Sequence, residues 1–151
     1  MKLMPSIFLV LVCVVALLSP PVYGQESPDP KVVEAARKEG EIVWYTTMSL
    51  DQSKQFMDRF LRKYPFLKPS VFRSGGGALL NRVLSETKAG KNFFDVVNGN
   101  GELVLPLMEL GVLAPYVSPE RKVIPEDLKD DKGFWTSVYV NSIVLGYNKT
   151  W

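Results

Sequence analysis

Three short stretches of small polar residues and glycines carry the groups in this sequence that could hold a ligand. They are Thr46-Thr47-Met48-Ser49, Arg73-Ser74-Gly75-Gly76-Gly77 and Asn98-Gly99-Asn100-Gly101. Consecutive glycines are costly to order, because glycine loses more backbone freedom on folding than any other residue, but they let a ligand come close to the backbone. These stretches predict hydrogen bonding to a small, strongly polar or anionic solute, largely through backbone N–H groups.

The residue types that carry most catalysis and transition-metal binding are scarce. The sequence contains no histidine, the commonest general base and metal ligand, and its one cysteine is Cys13. The glycines after Arg73 are contiguous, so they match neither a phosphate-binding P-loop nor a dinucleotide fingerprint. Asp95, Glu102 and Glu109 have no evident partner carboxylate. We therefore predict a binding protein, not an enzyme, with no catalytic residue, no resident metal and no cofactor.

The N-terminus has the layout of a secretory signal peptide. Lys2 precedes an unbroken apolar run from Ile7 to Leu18, and a Ser-Pro-Pro break and Gly24 follow. A membrane-spanning helix needs about 20 apolar residues, more than this run supplies. We predict a signal peptide over residues 1–24, cleavage after Gly24, and an exported mature protein.

Charge argues against one class of partner. The formal net charge is only +2, and the lysines and arginines form no cluster along the sequence. Nucleic-acid binding usually needs a concentrated basic face. We therefore predict no nucleic-acid partner.

Each of the three polar stretches follows a predicted strand and precedes a predicted helix. The predicted strands are 42–45, 71–72 and 93–97, and the predicted helices are 31–39, 50–64, 78–89 and 102–110, the second of them behind a Ser49–Gln52 capping box. This alternation predicts a doubly wound α/β fold with a mostly parallel sheet covered on both faces. Ligands of such sheets bind at the carboxyl ends of the strands, so the three stretches should share one rim.

The alternation stops after Gly111. Residues 112–131 are charged and proline-bearing, with one helical turn predicted near Pro125–Leu128. Trp135–Tyr147 is rich in β-branched and aromatic residues, which predicts one long or bulged strand with a bend near Asn141-Ser142.

The order of these segments resembles the periplasmic solute-binding proteins of bacterial ABC importers. The resemblance is to the type II, family 1 extracellular solute-binding group, which includes the ferric-iron binders, and it covers essentially all of Lys31 to Trp151. It rests on the secretory N-terminus, VVEAARKEGEIVWYTTMS, an SGGG loop heading a helix, FFDVVNGNG, LMELGVLAPY and SIVLGYNKTW. Order and spacing carry it rather than any single motif.

The resemblance implies a protein of two α/β lobes that trap a solute when they close about hinge strands. It divides this chain into a flexible lead-in over 25–30, an incomplete N-terminal lobe over 31–141, and a hinge strand over 142–151 that enters a second lobe outside the sequence. The chain would then be an N-terminal fragment. The resemblance also implies a periplasmic location, a monomer, and an ABC permease in the inner membrane as partner.

Carried over position by position, the resemblance implies ligand contacts in all three stretches. They are Thr46, Thr47 and Ser49, then Ser74, Gly75, Gly76 and Gly77, and finally Asn98, Gly99 and Asn100. Ser49 stands where iron binders often have a histidine, and their iron-coordinating tyrosine pair belongs to the second lobe. Ferric iron is thus one candidate solute, without support from this half. Two alternatives stay open: an exported α/β enzyme acting on a phosphate or carboxylate ester, and a sensor module with the same fold.

Overall fold

A computed structural model describes residues 28–142 and 144–149 of the chain. The predicted signal peptide, residues 1–24, lies outside the described residues, as do residues 25–27 of the predicted lead-in and residues 143, 150 and 151 of the predicted hinge strand. None of the described helices is both long enough and apolar enough to cross a membrane.

Helices and strands alternate along the described chain, as the sequence predicted. They are α1 (Pro30–Glu39), β1 (Glu41–Thr46), α2 (Leu50–Lys63), β2 (Lys68–Arg73), α3 (Gly76–Lys88), β3 (Val96–Asn98) and α4 (Gly101–Glu109), followed by the 3₁₀ helices Pro119–Val123 and Glu126–Leu128. The strands form one parallel sheet in the order β2-β1-β3, with Trp44 opposite Val71 on one side and Val96 on the other. The predicted α/β fold with a parallel sheet is confirmed.

Alternate residues of β1 face opposite sides of the sheet and pack against different helices. Tyr45 faces α3 and α4, in a buried cluster with Leu79, Val83, Leu103 and Leu107. Trp44 faces α2, in a second cluster with Met48 and Met57. Full burial of one such side chain contributes about 1.5–3 kcal/mol, so these two clusters hold helices on both faces of the sheet.

β1 is one residue longer at each end than predicted, whereas β2 and β3 differ more, and their pairing with β1 explains both differences. β2 runs over Lys68–Arg73 because its register with β1 continues without a break from one end to the other. β3 begins at Val96, not at residue 93, because Asp95 bonds to Val43 partly through its side chain, which interrupts the regular strand pairing. The carboxylate of Asp95 accepts a hydrogen bond from the Val43 N–H (2.7 Å), and the Asp95 N–H donates to the Val43 carbonyl (2.9 Å). The side chain thus takes the place of a strand partner.

Two helix starts bear directly on the rim of the sheet. α2 begins behind the predicted capping box, in which the Gln52 N–H donates to Ser49 Oγ and the Ser49 N–H donates to Gln52 Oε1, both at 3.3 Å. α3 begins at Gly76, two residues before the predicted start, with Gly75 as its N-cap. The last two glycines of the triplet therefore form the first turn of the helix rather than the loop.

The predicted strand over Trp135–Tyr147 is wrong within the described residues. The backbone there makes one isolated antiparallel bridge, between Lys129 and Thr136. Val144 and Leu145 are at least 85% exposed. Strand-forming side chains stabilise a strand only by packing against a neighbouring one, and no described strand pairs with this segment. The helical turn predicted near Pro125–Leu128 is present as the second 3₁₀ helix.

A buried arginine holds the segment that follows α4. Arg121 is 8% exposed, and its guanidinium donates to the carbonyls of Asp130 and Trp135 and to the hydroxyl of Thr136. Hydrogen bonds from a charged donor contribute about 1.5–3 kcal/mol each. This cluster fixes the chain just ahead of residues 139–141, which return to the rim of the sheet.

Candidate functional site

The structure brings the three polar stretches together at the carboxyl ends of the strands. The Ser74 N–H donates to the Thr46 carbonyl, and the Thr47 N–H donates to the Asn98 carbonyl, both at 3.1 Å. In addition, Arg73 Nε donates to the carbonyl of Met48 at 3.3 Å. The loop after β1 is therefore tied to the loops on both sides of it, and the three loops form one rim.

A cleft of about 380 Å³ opens on this rim. Small-molecule sites in proteins typically measure about 300–1,000 Å³, so the space suits a small solute. Six of the ten residues that the sequence singled out line the cleft: Thr47, Ser49, Gly76, Gly77, Gly99 and Asn100. The other four, Thr46, Ser74, Gly75 and Asn98, belong to the rim but not to the lining.

Thr46 and Asn98 hold the rim together from inside. Thr46 is fully buried, and its hydroxyl donates to Asn98 Oδ1 (3.0 Å) while it accepts from the Met48 N–H (3.1 Å). Asn98 is the last residue of β3, and Met48 lies in the loop after β1 and lines the cleft. These two side chains therefore position the loops, and in this structure they do not face the solute space.

Ser74 and Gly75 act mainly through the backbone. The Ser74 N–H bonds to the end of β1, as described above, and the Gly75 carbonyl accepts from the Leu79 N–H at 2.9 Å. Gly75 is the N-cap of α3, with an extended conformation that any residue could adopt (φ −70°, ψ 154°). Its role is to start the helix that presents Gly76 and Gly77 to the cleft.

The cleft also includes residues that sequence reasoning missed. They are Met48, Gln52, Glu102, Tyr139 and Asn141. The first three could have been found: Met48 lies within the first polar stretch, and Gln52 and Glu102 lie in the first turn of the helix that follows their loop. No signal in the sequence pointed to the last two, which come from the segment after the 3₁₀ helices.

Three helix N-termini meet at the rim, and they differ in how their unpaired N–H groups are satisfied. α2 is capped by side chains, because Ser49 and Gln52 bond to each other and to the backbone. α4 has no capping side chain, but it carries Glu102 in its first turn, where a carboxylate offsets the helix dipole. Within the described chain, α3 has neither a capping side chain nor an acidic residue in its first turn. The positive end of α3 is therefore open to a ligand.

The glycines of the cleft differ in how much room the fold leaves for a side chain at each position. A Cβ added at Gly99 would lie 2.5 Å from Leu103 Cδ2, so the fully buried Leu103 side chain would have to shift to admit any side chain there. At Gly77 no packed atom lies within 4 Å of an added Cβ, and at Gly76 the nearest, Asn100 Oδ1, lies at an ordinary 3.8 Å. Neither residue has a positive φ. The fold requires the first glycine, whereas it does not require the other two.

A second polar network lies on the side of the sheet that faces α3, outside the cleft lining. The Tyr45 hydroxyl donates to Glu86 Oε1 (2.9 Å) and accepts from Arg82 Nε (3.0 Å), and Arg82 also pairs with that carboxylate at 2.7 Å. Burial raises the pKa of the Tyr45 phenol above its ordinary value, and the hydrogen bond to Glu86 adds to the shift. Tyr45 is 1% exposed and belongs to the core, whereas the Arg82 side chain is 40% exposed, so the network lies at the edge of the core.

Within the described residues, no group of three or more Cys, Asp or Glu side chains is placed to hold a metal ion. No protein-family model matches the chain, and no curated protein matches it. Among solved structures, its fold is similar to that of the Trichodesmium protein IdiA (FutA), determined in complex with iron and citrate ligands, at 26% identity and a TM-score of 0.54. The likeness covers 64% of this chain and 30% of the Trichodesmium chain.

Proposed function

We propose that this chain is the N-terminal lobe of a periplasmic solute-binding protein that serves an ABC importer. It would capture a small polar or anionic solute and deliver it to the permease in the inner membrane. The observation that carries the proposal is the cleft on the carboxyl edge of the sheet, into which α3 opens with an uncapped N-terminus. The likeness to a protein determined with iron and citrate supports a solute-binding role in general.

The binding step would use backbone donors first. In the proposed site, the open N–H groups of α3 at Gly76 and Gly77 donate to an acceptor group of the solute, which the helix dipole also favours. Thr47 and Asn100 line the same cleft and add polar groups that would fix the orientation of the solute. Ser49 contributes less, because its hydroxyl is already bonded to Gln52 at 3.0 Å.

The trapping step would use a second lobe. The chain spans 30% of the length of the Trichodesmium protein, so we propose that residues 31–141 belong to one lobe and residues 142–151 to a hinge. Closure of the facing lobe would remove the solute from water and signal occupancy to the permease. Ferric iron, alone or with an anion such as citrate, is one candidate solute because the Trichodesmium protein was determined with both.

The first test is genetic. An importer component is encoded beside its permease and ATPase, and the reading frame should continue beyond Trp151 by about 170–200 residues, a length reasonable for one more lobe. Absence of transporter genes from the neighbourhood would favour a sensor module with the same fold.

The second test is biochemical. The complete gene product should bind its solute saturably and without turnover, as measured by titration calorimetry over a panel that includes citrate and ferric citrate. Hydrolysis of generic phosphate or carboxylate esters would instead support the enzyme alternative. Among the described residues lining the cleft, Glu102 is the single carboxylate, so it is the group that such a hydrolase would use as general base.

A further inference from the structure

The side chains of the cleft differ in character from its backbone donors. Among the described residues that line it, Glu102 is the single Asp, Glu, Lys or Arg, and Tyr139 is the single aromatic. A carboxylate attracts a positive charge by direct electrostatics, and an aromatic ring attracts one through the negative face of its π system. These are the two side-chain types that recognise organic cations in proteins.

The charge of Glu102 is not offset by a basic residue in the lining. Arg73, the cation nearest to the loops in sequence, points its Nε to the carbonyl of Met48 at 3.3 Å and does not line the cleft. Asn100 Nδ2 donates to Glu102 Oε2 at 3.3 Å, which orients the carboxylate without neutralising it. The side-chain lining of the cleft therefore carries a net negative charge.

Tyr139 lines the same cleft as Glu102, although it lies far from Glu102 in the sequence. It is 45% exposed, and it lines the cleft. The segment that carries it follows the Arg121 cluster, which fixes Trp135 and Thr136 by hydrogen bonds. The ring is thereby presented by an anchored segment rather than by the loops that form the rest of the site.

We propose that the solute carries an organic cationic group, a protonated or quaternary amine, which binds between Glu102 and Tyr139. This inference rests on the proposed solute-binding function and narrows its solute class. The open N–H groups at Gly76 and Gly77 border the same cleft, so the same solute can present an acceptor group to them. A solute with both groups would use the backbone and the side chains of the site together.

The test compares three probes on the complete gene product by titration calorimetry. Choline carries a quaternary amine alone, glycine betaine adds a carboxylate to the same amine, and citrate is an anion without an amine. We expect choline and glycine betaine to bind. Glu102→Gln and Tyr139→Leu should each lower the affinity for the two amines by about two- to fivefold, which is the range of exposed ion pairs and cation–π contacts. The affinity for citrate should stay the same or rise.

Matched controls separate a local effect from a general loss of structure. Glu109→Gln removes a carboxylate from the other end of α4, and Tyr116→Leu removes a tyrosine that is 66% exposed outside the cleft lining. Neither control should change the affinity for either amine. In addition, all four variants should melt within a few degrees of the wild type, with the largest decrease in Glu102→Gln, because that carboxylate offsets the dipole of α4.

Two outcomes would overturn the inference. One is failure of both amines to bind at any soluble concentration, whatever citrate does. The other is an equal loss of amine affinity in the controls. If citrate or ferric citrate alone binds saturably, the cation inference fails while the proposed solute-binding function stands. If the amines bind but the gene has no transporter neighbours, the importer role fails while the inference about the cleft stands.

Discussion

Two glycines at the cleft, Gly99 and Gly77, are present for different reasons: packing requires the first but not the second. Gly99 has no room for a side chain, because an added Cβ would overlap Leu103. At Gly77 the backbone has no positive φ, and an added Cβ would meet no packed atom. Neither strain nor crowding accounts for glycine at that position. We therefore attribute it to access, since a bare backbone lets the solute approach the N–H groups of α3.

Two alanine substitutions test this distinction. Gly99→Ala should lower the free energy of unfolding by about 1–3 kcal/mol, because the methyl group collides with Leu103. Gly77→Ala should raise it by up to about 1 kcal/mol, because alanine is the better helix former, and should weaken solute binding. Urea denaturation followed by circular dichroism measures both, each variant serving as the control for the other. Equal destabilisation by the two substitutions would contradict this account.

The buried phenol of Tyr45 links stability to pH. Burial and the hydrogen bond to Glu86 raise the pKa of Tyr45 above 10.0, so the folded state favours the neutral phenol. The resulting stability is fully present below the pKa of the unfolded chain and is lost as pH rises through the folded-state pKa.

Replacing the tyrosine by phenylalanine isolates this effect. The difference in unfolding free energy between the wild type and Tyr45→Phe should be constant below about pH 9, since no phenol is then ionised in either state. Above pH 10.0, the ordinary pKa of tyrosine, the wild type should lose stability relative to the variant. Denaturation curves across this range measure it, and parallel pH profiles for the two proteins would refute the prediction.

At the scale of elements, the rim depends on how three helices begin. α2 is closed by its capping box, α4 is balanced by an acidic first turn, and α3 alone among the described helices at the rim is left open. Because unpaired N–H groups and the dipole attract acceptors, we propose that α3 is the helix that contacts the ligand. A cap built onto α3 should therefore compete with the solute.

Substitution of the N-cap residue tests that competition. Gly75→Asp would supply an acceptor to the first turn of α3, at a backbone conformation that suits any residue and with open space around the new side chain. We expect the free energy of unfolding to rise by a few tenths to about 1 kcal/mol and solute affinity to fall. Gly75→Ser supplies the same hydrogen bond without a charge. It therefore separates the effect of capping α3 from that of repulsion between a carboxylate and the solute. Unchanged affinity in both variants would show that α3 does not contact the solute.

At the scale of the whole molecule, the described residues line a cleft that opens at one rim of the sheet. Small-molecule sites usually bury about 70–90% of the ligand surface, so tight binding would need cover over the open side of the cleft. The described segment after Arg121 is also unusually exposed, with Leu145 at 99% and Tyr147 at 86%. We propose that further polypeptide covers both surfaces in the complete protein.

Comparing two lengths of the protein tests this proposal. Residues 25–151 alone should bind solute very weakly and melt without cooperativity, whereas the complete gene product should bind tightly and melt in one transition. Calorimetry and thermal denaturation measure both. Tight binding, or a cooperative melt, by residues 25–151 would contradict the two-lobe account.

Much of the fold could be predicted because its signals are local. Helix periodicity, the Ser49–Gln52 box and the glycines that end helices all lie within a few residues of the element they define. The errors arose where a distant partner decided the outcome. β3 starts late because Asp95 bonds to Val43, and Trp135–Tyr147 forms no strand in the described chain because no described strand pairs with it.

For the candidate site, the sequence by itself determined which loops form the rim, since each follows a strand of a parallel sheet. Only the tertiary structure decided which of their groups face the cleft. Burial turned Thr46 inward to bond with Asn98, and the Arg121 cluster anchored the segment that presents Tyr139. Both outcomes depend on contacts between residues far apart in the chain, and neither periodicity nor turn chemistry records such contacts.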